Sequence, residues 1–367
     1  MRSTRVALSL LTLLAAACGQ ESEQAPDLGP RPAKREPIAP LQGQGSDGIN
    51  PRLLRRFKAL SAVIEGKNGA GSEAVAQLGH KLYFDKRLSA DRTMSCNSCH
   101  RLETYGVDNQ PTSLGHRGLR GRRNSPSVFN AAGQLAQFWD GRALDVEEQA
   151  KGPIINPIEM AMVSPARVVA MLKSIPLYVD EFALAFPGTR DPINYDNVGR
   201  AIGAFERRLV THSRWDRFLD GDHAALSAVE IAGLKLFADV GCIQCHNGEF
   251  LGGSMFQKVG AAEAWPNQTD PGRFDVTHLE VDRMQFKVPS LRNVAETGPY
   301  FHDGSIATLA EAVTVMSRYQ LGSPLAPAEV ASIVAWLGSL TGDLPAAYVS
   351  APVLPPDGPN TAKLASR

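Results

Sequence analysis

The chain has no excess charge of either sign: 38 Lys and Arg stand against 38 Asp and Glu in 367 residues. No global basic field therefore points to nucleic acid, and the one basic cluster, His116-Arg117-Gly-Leu-Arg120-Gly-Arg122-Arg123, is small enough to read as a solvated loop or a partner for acidic cofactor groups. Long hydrophobic runs are missing too. The apolar stretch from Val6 to Ala17 falls short of the ~20 residues a membrane-spanning helix needs. Stretches alternating apolar and polar residues are scarce, which argues against a sheet-built fold. Residues 19 to about 50 almost lack aromatic and β-branched side chains, so they cannot bury enough apolar surface to offset the entropy of ordering. Cysteine is sparse, at five positions.

The short apolar run follows Arg2 and Arg5 and reads as a secretory signal over residues 1–17. It ends in Leu14-Ala-Ala-Ala-Cys18-Gly19, which resembles a bacterial lipobox with Cys18 as the lipidated first residue of the mature chain. Cleavage at an Ala-x-Ala site, with Cys18 incidental, is the alternative. The expectation is an exported, periplasmic protein held to a membrane by a lipid anchor only. Residues 18–50 form a disordered tether, and the remainder has room for two domains, 51–218 and 219–345, with a tail at 346–367.

The other four cysteines make two copies of one pentapeptide, Cys96-Asn-Ser-Cys99-His100 and Cys242-Ile-Gln-Cys245-His246. Cys-x-x-Cys-His is the attachment signature of a c-type haem. Two thiols three residues apart each take one vinyl group as a thioether, and the adjacent histidine falls under the iron as its proximal ligand. One copy is also compatible with a redox or zinc dithiol. Two copies, with no cysteine left to complete a zinc tetrad, point instead to two covalently bound haem c groups.

The two sites sit in an internal duplication. Gly79-His-Lys-Leu82-Tyr83-Phe84 precedes the first as Gly233-Leu-Lys-Leu236-Phe237 precedes the second, each in a helix-like stretch, 72–84 and 226–238. Further helices are expected over Pro165–Leu172, Asn197–Leu209, Leu309–Tyr319 and Pro327–Leu340. The fold class is mainly α, two cytochrome c-like haem domains with long loops and little β.

A set of motifs in order around these sites carries a family resemblance. Leu82-Tyr-Phe-Asp-x-Arg-Leu-Ser89, Arg123-Asn-x-Pro-Ser-x-Phe-Asn130, Phe138-Trp-Asp-Gly-Arg142, Gly152-Pro-x-x-Asn-Pro-x-Glu-Met160, Val288-Pro-Ser-Leu-Arg-Asn293 and Pro299-Tyr-Phe-His-Asp-Gly-Ser305 resemble the bacterial di-haem cytochrome c peroxidases. The match spans about 75 to 342.

Peroxide reduction needs two electrons, an iron with an open position, and a group that moves a proton between the two oxygens. The resemblance implies Glu159 as that acid-base group, with Gln149 beside it, over the iron bound by His100. It implies His116 as a removable distal ligand of the same iron, so that reduction of the second haem opens the first. It implies Met316 as the distal partner of His246, with Met284 the next candidate. A relative that matures a tryptophan-derived quinone has Tyr in that role, and Met argues for the peroxidase branch. Trp139 resembles an indole placed between the haems; Asn124, Thr297 and Pro299 match positions that ligate calcium, a hard cation suited to oxygen donors. His302 is expected near the second haem without an assigned role, and His80, His212, His223 and His278 receive none. Implied partners are hydrogen peroxide, a small electron-donor cytochrome c or cupredoxin, and a second copy of the chain as a homodimer, with no nucleic acid. The alternatives are a di-haem oxidase of the quinone-maturation type and a non-catalytic electron carrier.

Overall fold

The computed structural model describes residues 48–66 and 69–361. The expected signal peptide, Cys18 and the tether up to residue 47 lie outside them. Among the described residues no helix is long and apolar enough to cross a membrane.

The chain folds as helices joined by long irregular segments. The described strands are short, Phe256–Lys258 pairing antiparallel with Gln285–Lys287. Six helices match the apolar spacing: Glu73–Phe84, Pro165–Lys173, Tyr195–Glu206, Ala228–Asp239, Leu309–Val315 and Pro327–Gly338. The helix expected to run on to Tyr319 instead widens after Val315 into a π-turn over Met316–Gln320. Among the described residues, three helices longer than four residues were not foreseen from spacing: Val146–Ile155, Pro176–Ala185 and Arg214–Leu219.

The duplication in sequence is a duplication in space. Ser72 caps the first haem-side helix and Ser227 the second, each hydroxyl accepting the amide of the third residue of its helix. Glu73–Phe84 crosses Tyr195–Glu206 at Gly79, where an added Cβ would lie 1.8 Å from Ala201 O and 3.0 Å from Phe205 Cβ. Ala228–Asp239 crosses Pro327–Gly338 at Gly233, where it would lie 2.0 Å from Ser332 O and 3.0 Å from Trp336 Cβ. In both lobes a glycine lets one helix backbone lie directly against another, and a large aromatic ring fills the space beside it.

One apolar core gathers around Leu82, Tyr83, Phe182 and Phe205, and a second around Phe57, Trp215, Phe237 and Trp336. The second takes in Ile49 and Phe57, and Trp215 and Phe218 of the helix Arg214–Leu219. Phe57 meets Trp215 edge-on with ring centroids 5.2 Å apart. The tail is docked as well. Arg87 donates to Pro355 O at 2.8 Å and pairs with Asp357, and Thr361 Oγ1 lies 2.8 Å from Ser174 Oγ.

The lobes are joined at Thr211. Asn130 and Asn293, the last residues of the two Pro-Ser-x-x-Asn segments, both have left-handed backbones and both donate to Thr211 Oγ1, at 2.8 and 2.9 Å. All three residues are fully buried. Within the second lobe a buried ion pair fixes the neighbouring segment: Arg292 reaches Asp216 at 2.7 Å and donates to the carbonyl oxygen of Glu249.

Gly233→Val forces the two helices apart, and overpacking of this kind costs about 1–3 kcal/mol. The expected result is a clear fall in melting temperature, while Gly338→Ala in the partner helix, whose Cβ meets nothing within 4 Å, leaves it nearly unchanged. Thermal denaturation followed by circular dichroism checks both.

Candidate active site

Each Cys-x-x-Cys-His begins in a single short helical turn, Cys96–Cys99 in one lobe and Cys242–Gln244 in the other. The histidine that follows is oriented from behind. His100 Nδ1 donates to Pro126 O at 3.0 Å and to Gly106 O at 3.3 Å; His246 Nδ1 donates to Leu251 O at 3.1 Å. Pro126 and Pro289 open the two Pro-Ser-x-x-Asn segments, and in each the serine hydroxyl holds the local turn, Ser127 on Tyr105 O and Ser290 on Phe250 O, both at 2.6 Å. Gly252 leaves no space for a side chain, because a Cβ there would sit 2.2 Å from Pro289 O.

With Nδ1 committed, Nε2 is the nitrogen each ring offers a metal. Burial lowers the pKa of His100 and brings His246 down to about 4, so both imidazoles are neutral with a free lone pair. Burial pushes the thiols the other way, Cys99 and Cys242 up to about 11. Among the described residues no cluster of His, Cys, Asp and Glu forms a separate metal site.

A cavity of about 260 Å³ runs from the Ser125–Phe129 segment of the first lobe, past Trp139, to Cys242, Cys245, His246 and Met316. Met316 lines it from the start of the π-turn, where the backbone widens. Met284 does not: it is buried against Val259, Trp265 and Phe286 as core filling. Two thiols, a neutral imidazole and a methionine lining one cavity with apolar walls fit a haem c. Asn124, Thr297 and Pro299 line the cavity as well, and Asn124 Nδ2 is held by Gln110 O at 3.0 Å, so its Oδ1 is the atom available to a cation.

Trp139 stands between the lobes. Its indole N–H donates to Asn124 O at 2.9 Å, and its carbonyl accepts from Lys287 N at 2.7 Å. His302 packs edge-on to it at 6.4 Å and stacks on Phe286 at 4.1 Å. The basic cluster ends in ion pairs of the chain itself. Arg123 bonds Asp140 at 2.5 Å and grips Asp270 of the second lobe with two bonds, at 2.6 and 2.7 Å.

Glu159 follows the helix Val146–Ile155 in the turn at Asn156–Met160. Desolvation raises its pKa, opposed by the charge of Arg142 and a hydrogen bond with Asn156, and its own charge in turn disfavours the Cys99 thiolate. Glu159 therefore lies beside the first attachment site. Arg142 is fixed by Phe138, with its guanidinium 3.4 Å from the ring centre. Gln149 is half-buried on that helix, one turn before Gly152, which packs towards Phe138.

His116 and Glu159 are physically coupled. The His116 N–H is shared between Ile158 O at 2.9 Å and Glu159 O at 2.8 Å, and a Cβ on Gly115 would lie 1.9 Å from Ile158 O. The His116 ring turns to Asp91, with Nδ1 3.1 Å from Oδ2, an ion-pair distance without hydrogen-bond alignment. Ala90 N in turn bonds Met160 O at 2.9 Å. Three loops are thus laced together. Asp91 carried no signal in the sequence, since it belongs to no motif and meets His116 only through the fold. His80 is structural, stacked on Phe205 at 4.7 Å.

The fold and site define a helical protein of two lobes, each built to attach one haem c. The family model described as di-haem cytochrome c peroxidase matches residues 73–224. The cytochrome c551 peroxidase of Pseudomonas aeruginosa is 47% identical over 317 residues, covering 84% of this chain and 90% of that one. The cytochrome c551 peroxidase of Nitrosomonas europaea is 47% identical over 291 residues, covering 78% and 85%. A crystal structure of a MauG-like protein associated with microbial copper homeostasis superposes with a TM-score of 0.69 at 30% identity, covering 80% of this chain and 96% of that one. This chain belongs to the di-haem cytochrome c peroxidase family, whose members are haem-dependent oxidoreductases with two covalently bound c-type haems.

Proposed function

We propose that this protein reduces hydrogen peroxide to two waters, taking up two electrons and two protons, with the electrons delivered by a small periplasmic cytochrome c or cupredoxin. The observation that carries this reading is Glu159, a half-buried carboxyl whose pKa desolvation raises and whose charge acts on the Cys99 thiol of the first haem attachment site. When bound, the first haem supplies an iron that meets peroxide and the second an iron that receives and passes electrons.

Cys96, Cys99 and His100 hold the first haem; Cys242, Cys245, His246 and Met316 hold the second. Glu159 takes the proton from the nearer peroxide oxygen and returns it to the departing one, a shuttle that suits a carboxyl whose pKa desolvation raises. Gln149 offers its amide beside that carboxyl. Trp139 gives the electron a π-system between the lobes, held by Asn124 O and Lys287 N. Asn124, Thr297 and Pro299 supply oxygen donors for a calcium ion at the same joint. His116 is the removable distal ligand of the first haem, and Asp91 is the partner that its ring takes when released. Because the His116 N–H is bonded to the Ile158 and Glu159 carbonyls, moving His116 moves the loop that carries the carboxyl. The export signal and Cys18 motif support a lipid-anchored periplasmic location, and a homodimer is the assembly expected.

In steady-state turnover of peroxide with a reduced small cytochrome c, Glu159→Gln lowers the rate about 10²–10⁴-fold while leaving both haem spectra intact. A rate within a few-fold of wild type removes Glu159 from the chemistry. Met316→His lowers the potential of the second haem and keeps it six-coordinate and low-spin; an unchanged potential in an optical redox titration rules Met316 out as ligand. For the gate, rapid mixing of peroxide with fully oxidised and half-reduced enzyme gives a slow and a fast reaction in wild type, and His116→Gly makes the oxidised form fast. Equal rates for the two wild-type forms exclude it.

A further inference from the structure

The walls of the cavity at the second haem site carry the side chains of Lys258, Lys287 and Arg292 and of His246 and His302, but no Asp or Glu side chain among the described residues. These cations are not equivalent. Lys258 is exposed to solvent, and Arg292 is neutralised by Asp216. Lys287 is only 6% exposed, and its Nζ donates to the neutral Gln134 Oε1 at 2.5 Å. Among the described residues no carboxylate pairs with it, and burial pushes its pKa down to about 7. His302, 2% exposed, lines the same cavity with its Nε2 buried and without a protein hydrogen-bond partner.

A buried ammonium with no counter-charge is costly, and a chain that keeps one supplies the anion from elsewhere or leaves the amine neutral. The anion at hand is part of the cofactor, since a haem bears two propionates. We propose that Lys287 is the counter-cation of a propionate of the second haem and, by holding positive charge beside that haem, raises its reduction potential. The local fold supports such a role. Lys287 lies on the strand Gln285–Lys287, and its amide is fixed by Trp139 O at 2.7 Å, so the ammonium is anchored where the two lobes meet. Gly253 packs against Gln134, where a Cβ would come within 2.6 Å of Gln134 Cγ, and this keeps the amide on the lysine. A fixed cation favours the reduced haem, which carries one positive charge fewer. The inference rests on the two-haem assignment and not on peroxide turnover.

The test is an optical redox titration, without peroxide, of the full holoprotein and of Lys287→Met, Lys287→Gln and Lys287→Arg, each checked by intact mass for two attached haems. The Met and Gln variants are expected to shift the reduction equilibrium of the second haem at least tenfold towards the oxidised form, about 59 mV for one electron, with the first haem unmoved. The Arg variant, which keeps the charge, stays near wild type. Redox-difference infrared spectra with isotope-labelled haem propionates give a second readout, in which a propionate carboxylate band shifts in the Gln variant. A second-haem equilibrium within twofold of wild type in the Met and Gln variants, an equal shift of both haems, or an unmoved propionate band overturns the proposal. Loss of peroxide turnover alongside an unchanged potential would count against this inference and leave the peroxidase reading to its own test.

Discussion

The rest of the structure is arranged around one repeated constraint: a histidine beside two thiols must present Nε2 in a fixed direction, and a backbone carbonyl fixes it by taking the Nδ1 proton. In the first lobe the carbonyls are those of Pro126 and Gly106, in the second that of Leu251, with Pro289 pressed close against Gly252. Each carbonyl needs a loop that cannot drift. The Pro-Ser-x-x-Asn segments provide it, through a serine that bonds a neighbouring carbonyl and an asparagine that is buried on Thr211. The long segments between helices are therefore ordered by hydrogen bonds rather than by regular structure.

Because both loops end on Thr211, the two sites share a joint. Around it Trp139, Asn124 and Lys287 are bonded in series, and Arg123 ties the Phe138–Arg142 segment to Asp270. A charge change in the second lobe thus acts on side chains and backbone that also belong to the first. In the first lobe, the His116, Glu159 and Asp91 loops are linked by backbone hydrogen bonds and by the 3.1 Å approach of the His116 ring to Asp91, so a shift in one is transmitted to the others. That is the arrangement a two-state element requires.

Much of this was legible in the sequence, for local reasons. Gly79 and Gly233 stand at the same place before each Cys-x-x-Cys-His, and both turn out to be points where a helix meets another helix's backbone. The helix Leu309–Val315 was expected to continue as α, but the π-turn at Met316 has no compositional mark and depends on what the widened turn faces. The helix Val146–Ile155 was missed because it carries Gly152 and Pro153 in its last turns, where local rules place a break. That Trp215 and Phe218 share a core with Trp336 has no local signal, since the partners lie more than a hundred positions apart.

The sequence by itself determined the cofactor attachment, the helical class and the duplication, since each is written in residues a few positions apart and governed by covalent geometry or helical periodicity. Only the tertiary structure decided which methionine lines the cavity with His246, which acid meets His116, and that Lys287 is buried with no carboxylate partner among the described residues. Those facts concern partners far apart in the chain, and whether a charge is solvated or stranded depends on what the fold packs around it.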